Sequence, residues 1–199
     1  YLYCVMAGSV NYGRMDEYLG DFFTRDLQQG KITEQEALVL IEGLWQLIDD
    51  RGWVFDSRVI IGGKGRRNEE NANKFAMAAM EASLQLRNVT PQLTLRFYEG
   101  QDEKLMDKAI SMIGEGIVYP MLYNDDVNIP AVSNAFDIPE KEAVNYVPFG
   151  CGEYTIYHKS VGTPSGVINL LQALNVTLHG GVDPKTGKKQ GLDTGNPDN

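Results

Sequence analysis

The chain has 199 residues, 43% of them hydrophobic and 23% charged, with 18 Lys+Arg against 27 Asp+Glu and a formal net charge of −9. That balance excludes a disordered chain, and the acidic excess excludes nucleic acid or an anionic membrane as main partner, since both reward Lys/Arg clusters. No apolar stretch reaches the roughly 18 residues a membrane span needs, and Cys4 and Cys151 are too few for a disulfide framework, so the expected compartment is reducing. The length suits one domain, or one domain and part of another.

In chain order, aromatic residues at helical spacing (Tyr18, Phe22, with Arg25) predict a helix over Tyr12 to Arg25. Thr33 and Glu36 form a capping box, in which the hydroxyl takes a free amide three residues on and the carboxylate reaches back. Ala37, Leu40, Ile41, Leu44, Trp45 and Ile48 then make one apolar face, which Arg51-Gly52 ends. Ser57 to Ile61 predicts a strand running into Gly62-Gly63-Lys64-Gly65, and Glu69 to Leu86 a helix. Gln92 to Tyr98 alternates as a strand does. A helix marked by Leu105, Ala109, Met112 and Ile113 is broken by Gly114 and Gly116. Ile117 to Tyr123 is a strand candidate interrupted at Pro120, and Val144 to Phe149 a further strand-like run followed by a loop. Thr163 caps a helix from Pro164, with Val167, Ile168, Leu171 and Leu174 on its apolar side. Strands alternating with helices predict an α/β layer or barrel with parallel strands, and nothing divides residues 1–199 into more than one continuous segment.

Four places could carry chemistry. Gly62-Gly63-Lys64-Gly65-Arg66-Arg67, between strand and helix, could cradle a phosphate on backbone amides, but its spacing matches neither the Walker loop nor the dinucleotide fingerprint. A tight structural turn is the favoured reading. Phe149-Gly150-Cys151-Gly152-Glu153 places a thiol between glycines, with a carboxylate two residues on that could move protons beside it. The alternative there is a small buried Cys near an ion-paired Glu. His158 and His179 are the available bases, and neither sits in a familiar nucleophile context. Tyr123-Asn124-Asp125-Asp126 could hold a cation or orient a substrate, although a solvated turn is favoured and no ligand spacing suits zinc or calcium. Arg96, inside an apolar strand, is either a paired internal charge or a receiver of an anion.

Five segments, in order, resemble the glycyl radical enzymes of the pyruvate formate-lyase superfamily. They are Asn11-Tyr12-Gly13-Arg14-Met15-Asp16-Glu17-Tyr18-Leu19; Gly30-Lys31-Ile32-Thr33 through Leu44-Trp45; Ile61-Gly62-Gly63 through Asn73 and Pro91 to Arg96; Gly150-Cys151-Gly152-Glu153; and Leu178 to Gly187 with Asp183-Pro184-Lys185-Thr186. The resemblance implies part of a ten-stranded α/β barrel with the Cys loop threaded through its interior, in a chain several times longer. It implies Cys151 as a thiyl relay and Glu153 as acid or base, and leaves Arg96 and Asp125 as candidates to orient a small hydroxylated substrate. It binds no cofactor in this segment: the glycyl radical lies elsewhere in the full chain, where a radical S-adenosylmethionine activating enzyme installs it. The Gly-rich stretch Gly187 to Gly195 lacks the Arg-Val-x-Gly-aromatic pattern of the radical loop, and Tyr1 and Asn199 suit a chain cut from something larger. The expected whole protein is a cytoplasmic homodimer, with this segment inactive alone. Gly152 stands where pyruvate formate-lyase has a second cysteine, which favours C–O, C–N or C–C cleavage over acyl transfer; eliminases usually carry Val there. A pyruvate formate-lyase-like acyltransferase or an arylacetate decarboxylase is one alternative. A phosphate-binding or non-catalytic module using the Gly62 to Arg67 loop is another.

Overall fold

The computed structural model describes residues 10–52, 57–160 and 169–191. It divides into two compact units, Tyr1–Thr163 and Pro164–Asn199. The first carries β1 (Val10–Arg14), α1 (Met15–Gln28), α2 (Glu34–Asp49), β2 (Ser57–Gly62), α3 (Glu69–Leu86), β3 (Gln92–Phe97), α4 (Glu103–Gly114), β4 (Met121–Asn124), α5 (Asp125–Phe136), α6 (Glu140–Ala143), β5 (Tyr146–Phe149) and β6 (Glu153–Ile156). In the second unit, α7 (Leu170–Leu178) is capped by Asn169, whose side chain accepts from the Gln172 amide at 3.0 Å. The expected Thr163 cap and Pro164 start, like Cys4 and residues 192–199, lie outside the described residues.

Strands β1-β2-β3-β4 form a parallel sheet in chain order. Alternation of side chains sends Val59, Ile61, Leu93 and Leu95 to one face, where they are fully buried against Met15, Trp45, Phe75, Met80, Leu105 and Met112 of α1 to α4. Each such aliphatic side chain contributes on the order of 1.5–3 kcal/mol. The indole Nε1 of Trp45 donates to Ser83 Oγ at 2.8 Å, satisfying the polar atom inside that layer. On the opposite face the register aligns Arg58, Thr94, Arg96, Met121 and Tyr123. A smaller apolar cluster of Ile129, Val132, Ala143, Tyr146 and Ile156 belongs to the elements after β4.

Three sequence expectations are corrected. The first helix begins at Met15, not Tyr12, because Val10–Arg14 is extended and paired to β2, with a register shift between Asn11 and Arg14 that Gly13 accommodates at φ +68°. The stretch Tyr123 to Asp126 is no solvated turn: Asn124 caps α5, accepting from the Asp126 amide at 2.9 Å, and Asp125 is fully buried. The segment after Phe149 is no open loop but a two-stranded antiparallel hairpin, in which Phe149 pairs with Glu153 and Tyr146 with Ile156. The Thr33–Glu36 capping box forms as read, with both its bonds present at 2.8 and 3.2 Å.

Candidate functional site

Two glycine-rich loops meet the polar face of the sheet. The first follows β2. Gly62, Gly63 and Gly65 all take positive φ (+74°, +85°, +79°), which L side chains rarely adopt. Added Cβ atoms would also collide: at Gly62 with the Arg96 carbonyl at 2.2 Å, at Gly63 with Asp125 Oδ2 at 2.7 Å. Close approach of this backbone to β3 and α5 therefore demands glycine.

The polar atoms of this loop are committed internally. The Gly62 amide donates to Asp16 Oδ2 and the Lys64 amide to Asp125 Oδ2, both at 2.7 Å. Arg14 Nη2 donates to the Gly62 and Lys64 carbonyls at 3.2 and 2.8 Å, and Arg66 Nε to the Gly63 carbonyl at 2.9 Å. Protein carboxylates occupy the places a phosphate would take, so the structural turn prevails over the phosphate cradle. Burial, with repulsion from Arg96 and Arg66, pulls the Arg14 guanidinium down to about 10, against the attraction of Asp16 and Asp125. Burial also pushes the Asp16 carboxyl up, against Arg66 and Arg14.

Arg96 and Asp125 stand beneath the same loop as a fully buried, two-pronged pair, Nε to Oδ1 and Nη2 to Oδ2, each at 2.9 Å. Arg96 further donates to the carbonyls of Tyr146 (2.8 Å) and Val144 (3.0 Å), and its guanidinium lies 4.0 Å from the Tyr146 ring centroid. The Tyr146 hydroxyl donates to Asp125 Oδ1 at 2.6 Å. Burial raises the Tyr146 phenol well above its ordinary range. Of the two readings open for Arg96, this is the paired internal charge. The pair ties β3, α5 and the first turn of the glycine loop to the base of the hairpin.

The second loop is the hairpin tip, Gly150-Cys151-Gly152. Within this segment Cys151 is a free, exposed thiol and Glu153 is exposed too. Gly150 and Gly152 take φ of +53° and +124°, and the Gly152 amide closes the turn on the Phe149 carbonyl at 2.8 Å. The hairpin is held to the sheet by side chains to which the sequence assigned no such role. Asn11 Nδ2 donates to the Pro148 carbonyl at 2.5 Å and Arg58 Nη2 to the Gly150 carbonyl at 2.7 Å. Tyr123 Oη donates to the Gly152 carbonyl at 3.5 Å. For Arg58 the available signal was the one used for Arg96, a charge inside an apolar strand. Thus Cys151 and Glu153 share one hairpin above the polar face, whereas Arg96 and Asp125 lie at its base. His158 follows the hairpin beside Tyr157, and His179 belongs to the other unit. Among the described residues, no group of three or more His, Cys, Asp or Glu could hold a metal, and no helix is long and apolar enough to cross a membrane.

A family model described as pyruvate formate lyase-like matches residues 2–199. The isethionate sulfite-lyase of Oleidesulfovibrio alaskensis is 29% identical over 94% of this chain and 24% of its own length. The (2S)-3-sulfopropanediol dehydratase of Klebsiella oxytoca is 28% identical over 96% of this chain and 25% of its own. Among solved structures, a glycyl radical enzyme from Archaeoglobus fulgidus superposes with a TM-score of 0.68 at 25% identity, covering 94% of this chain and 26% of that one. The chain thus spans about a quarter of the length of the curated relatives it matches. Its parallel sheet with outer helices is part of an α/β barrel of that type.

Proposed function

The chain belongs to the pyruvate formate lyase-like family, and from that premise we propose that it is the Cys-loop segment of a glycyl radical lyase or dehydratase. Cys151 is the hydrogen-atom relay and Glu153 the acid/base. One observation carries this reading: an exposed free thiol and an exposed carboxylate two residues apart, on a glycine-flanked hairpin fastened to the polar face of the sheet. The positive-φ glycines on either side leave the thiol bare of side-chain cover, which suits close approach of a second backbone and of a substrate.

The glycyl radical, held in another segment and installed by a radical S-adenosylmethionine activating enzyme, supplies the capacity to remove a hydrogen atom from a thiol. Cys151, having lost its S–H hydrogen, takes a hydrogen atom from a substrate C–H bond; S–H reforms and a carbon radical remains. Glu153 takes the proton of the hydroxyl on that carbon. The leaving group departs from the neighbouring carbon with its bonding electron pair, and the hydroxyl becomes a carbonyl. The proton held by Glu153 passes to the leaving group, and Cys151 returns its hydrogen atom to the product carbon. The net change is loss of HX from a small hydroxylated molecule, with no external oxidant or reductant consumed. The similarity to a sulfite-lyase and to a dehydratase supports sulfite or hydroxide as the type of leaving group. Arg96 and Asp125 serve this reading by fixing the hairpin base, not by touching substrate. The whole protein is a cytoplasmic homodimer whose partners are the small substrate and the activating enzyme.

The test uses the full-length protein with its activating enzyme and three probes: isethionate, propane-1,2-diol and glycerol. Cys151→Ala is expected to keep the glycyl radical signal in electron paramagnetic resonance and to lose all turnover. Turnover retained by that variant overturns the relay.

A further inference from the structure

Arg58 is 2% exposed, yet no carboxylate lies within ion-pair distance of it among the described residues. A buried guanidinium without a counter-charge is unfavourable by several kcal/mol unless its donors are well used. A position in the same buried strand as Val59, Ile60 and Ile61 could be packed by an apolar residue without that penalty. The bonds that Arg58 does make are directional. Nη1 donates to Thr94 Oγ1 of β3 at 2.9 Å and lies 3.1 Å from Met121 Sδ of β4. Nη2 donates to the Gly150 carbonyl at 2.7 Å. The fork therefore spans three strands and ends on the peptide that joins Gly150 to Cys151.

Its neighbours repeat the pattern. Asn11, the register partner of Arg58 on β1, holds the Pro148 carbonyl, and Tyr123 on β4 holds that of Gly152. Carbonyls 148, 150 and 152 are thus each received by a side chain from the sheet, at every second residue. The Gly152 backbone lies so close to Tyr123 that an added Cβ would sit 2.8 Å from its hydroxyl. Among the three, only Arg58 brings a charge, and charge-assisted hydrogen bonds are about twice as strong as neutral ones.

We infer that Arg58 is a positioning residue for the Cys151 thiol, holding the Gly150–Cys151 peptide at a fixed height above the sheet with Asn11 and Tyr123 as weaker supports. Its relevance to catalysis rests on the relay reading above; the geometry it claims does not.

The test uses the full-length protein before activation and needs no substrate. The rate at which iodoacetamide alkylates Cys151 is followed by peptide mass spectrometry, relative to the other cysteine peptides of the same protein. Arg58→Gln is expected to raise the relative rate at Cys151 about tenfold, the size of one charge-assisted bond lost. Arg58→Lys, which keeps the charge and one donor, recovers part of the difference. Thr94→Val, which leaves Arg58 in place but removes its support, gives a smaller rise in the same direction and decides the matter should Arg58→Gln fail to fold. An unchanged Cys151 rate, or one that rises only in step with all other cysteines, overturns the inference. If labelling rises selectively while Cys151→Ala keeps its turnover, the thiol is positioned as stated and the relay reading alone falls.

Discussion

The loop after β2 and the tip of the β5–β6 hairpin are built from the same material, positive-φ glycines (three in the first, two in the second) with one functional side chain, Lys64 or Cys151, between them, and they end in opposite states. In the first, Asp16 and Asp125 take the Gly62 and Lys64 amides, and Arg14 and Arg66 take the carbonyls of Gly62, Lys64 and Gly63. In the second, the carbonyls go to Asn11, Arg58 and Tyr123 and the Gly152 amide closes the turn on Phe149, while the thiol and carboxylate stay exposed in this segment. A glycine-rich loop therefore identifies a place of close backbone approach. Whether that place is a joint or a site depends on which of its polar atoms are already taken.

This contrast can be broken by mutation, because damage at the joint should appear as lost stability and damage at the site as lost turnover. The largest effect is expected from Asp125→Ala, which strands the buried Arg96 guanidinium and deprives the Lys64 amide and Tyr146 hydroxyl of their acceptor. Removing one partner of a buried pair is destabilising by about 3–5 kcal/mol, to be read from urea unfolding of the full-length protein. A loss below about 1 kcal/mol would deny the joint its structural role. Glu153→Gln should do the reverse. Turnover falls roughly a hundredfold or more for loss of a general base, while the unfolding midpoint moves little because Gln is nearly isosteric with Glu.

Next in size, Gly63→Ala combines φ of +85° with a Cβ 2.7 Å from Asp125 Oδ2 and 2.8 Å from Arg96 Cβ. It should destabilise by about 1–3 kcal/mol, whereas Gly43→Ala, on an open helix face with nothing within 4 Å, should not destabilise at all. The smallest effect is electrostatic. The hydrogen bond from Lys64 to Asp126, at 2.5 Å, lowers the carboxyl of Asp126 and raises the ammonium of Lys64. A depressed carboxyl contributes stability above its unfolded pKa, near 3.9, and loses it as pH falls through the folded value. Asp126→Asn should flatten the acid limb of the melting temperature below about pH 4, and added salt should shrink the difference.

What could be read from the chain followed how local its causes were. The α2 start was legible because Thr33 and Glu36 lie three residues apart and complete their own cap. The runs behind β2 and β3 were legible because strands covered on the apolar side read as Val, Ile and Leu. Strand β1 was hidden, since its extended form depends on pairing with Ser57 and Arg58, more than forty residues away in sequence, while Tyr18 and Phe22 carry a helical spacing. Asp125 looked like a turn residue for the same reason: its partner Arg96 is twenty-nine positions upstream. Cys151 and Glu153 are candidates on their glycine frame and the family resemblance, but the side chains that hold their hairpin were not legible. Arg58, Asn11 and Tyr123 meet the hairpin only after four strands have been set side by side.

That setting side by side has a consequence for how the chain acquires its shape. In the sheet β1-β2-β3-β4, spatial order and synthetic order coincide, so each strand leaving a ribosome finds its neighbour already waiting at the growing edge. No earlier pairing has to open to admit a later one. The hairpin bearing Cys151 is made after all four, and its three carbonyls arrive at donors that are already assembled. The Cys151 thiol is thereby laid down after the four strands whose side chains hold its hairpin, on a foundation finished before it.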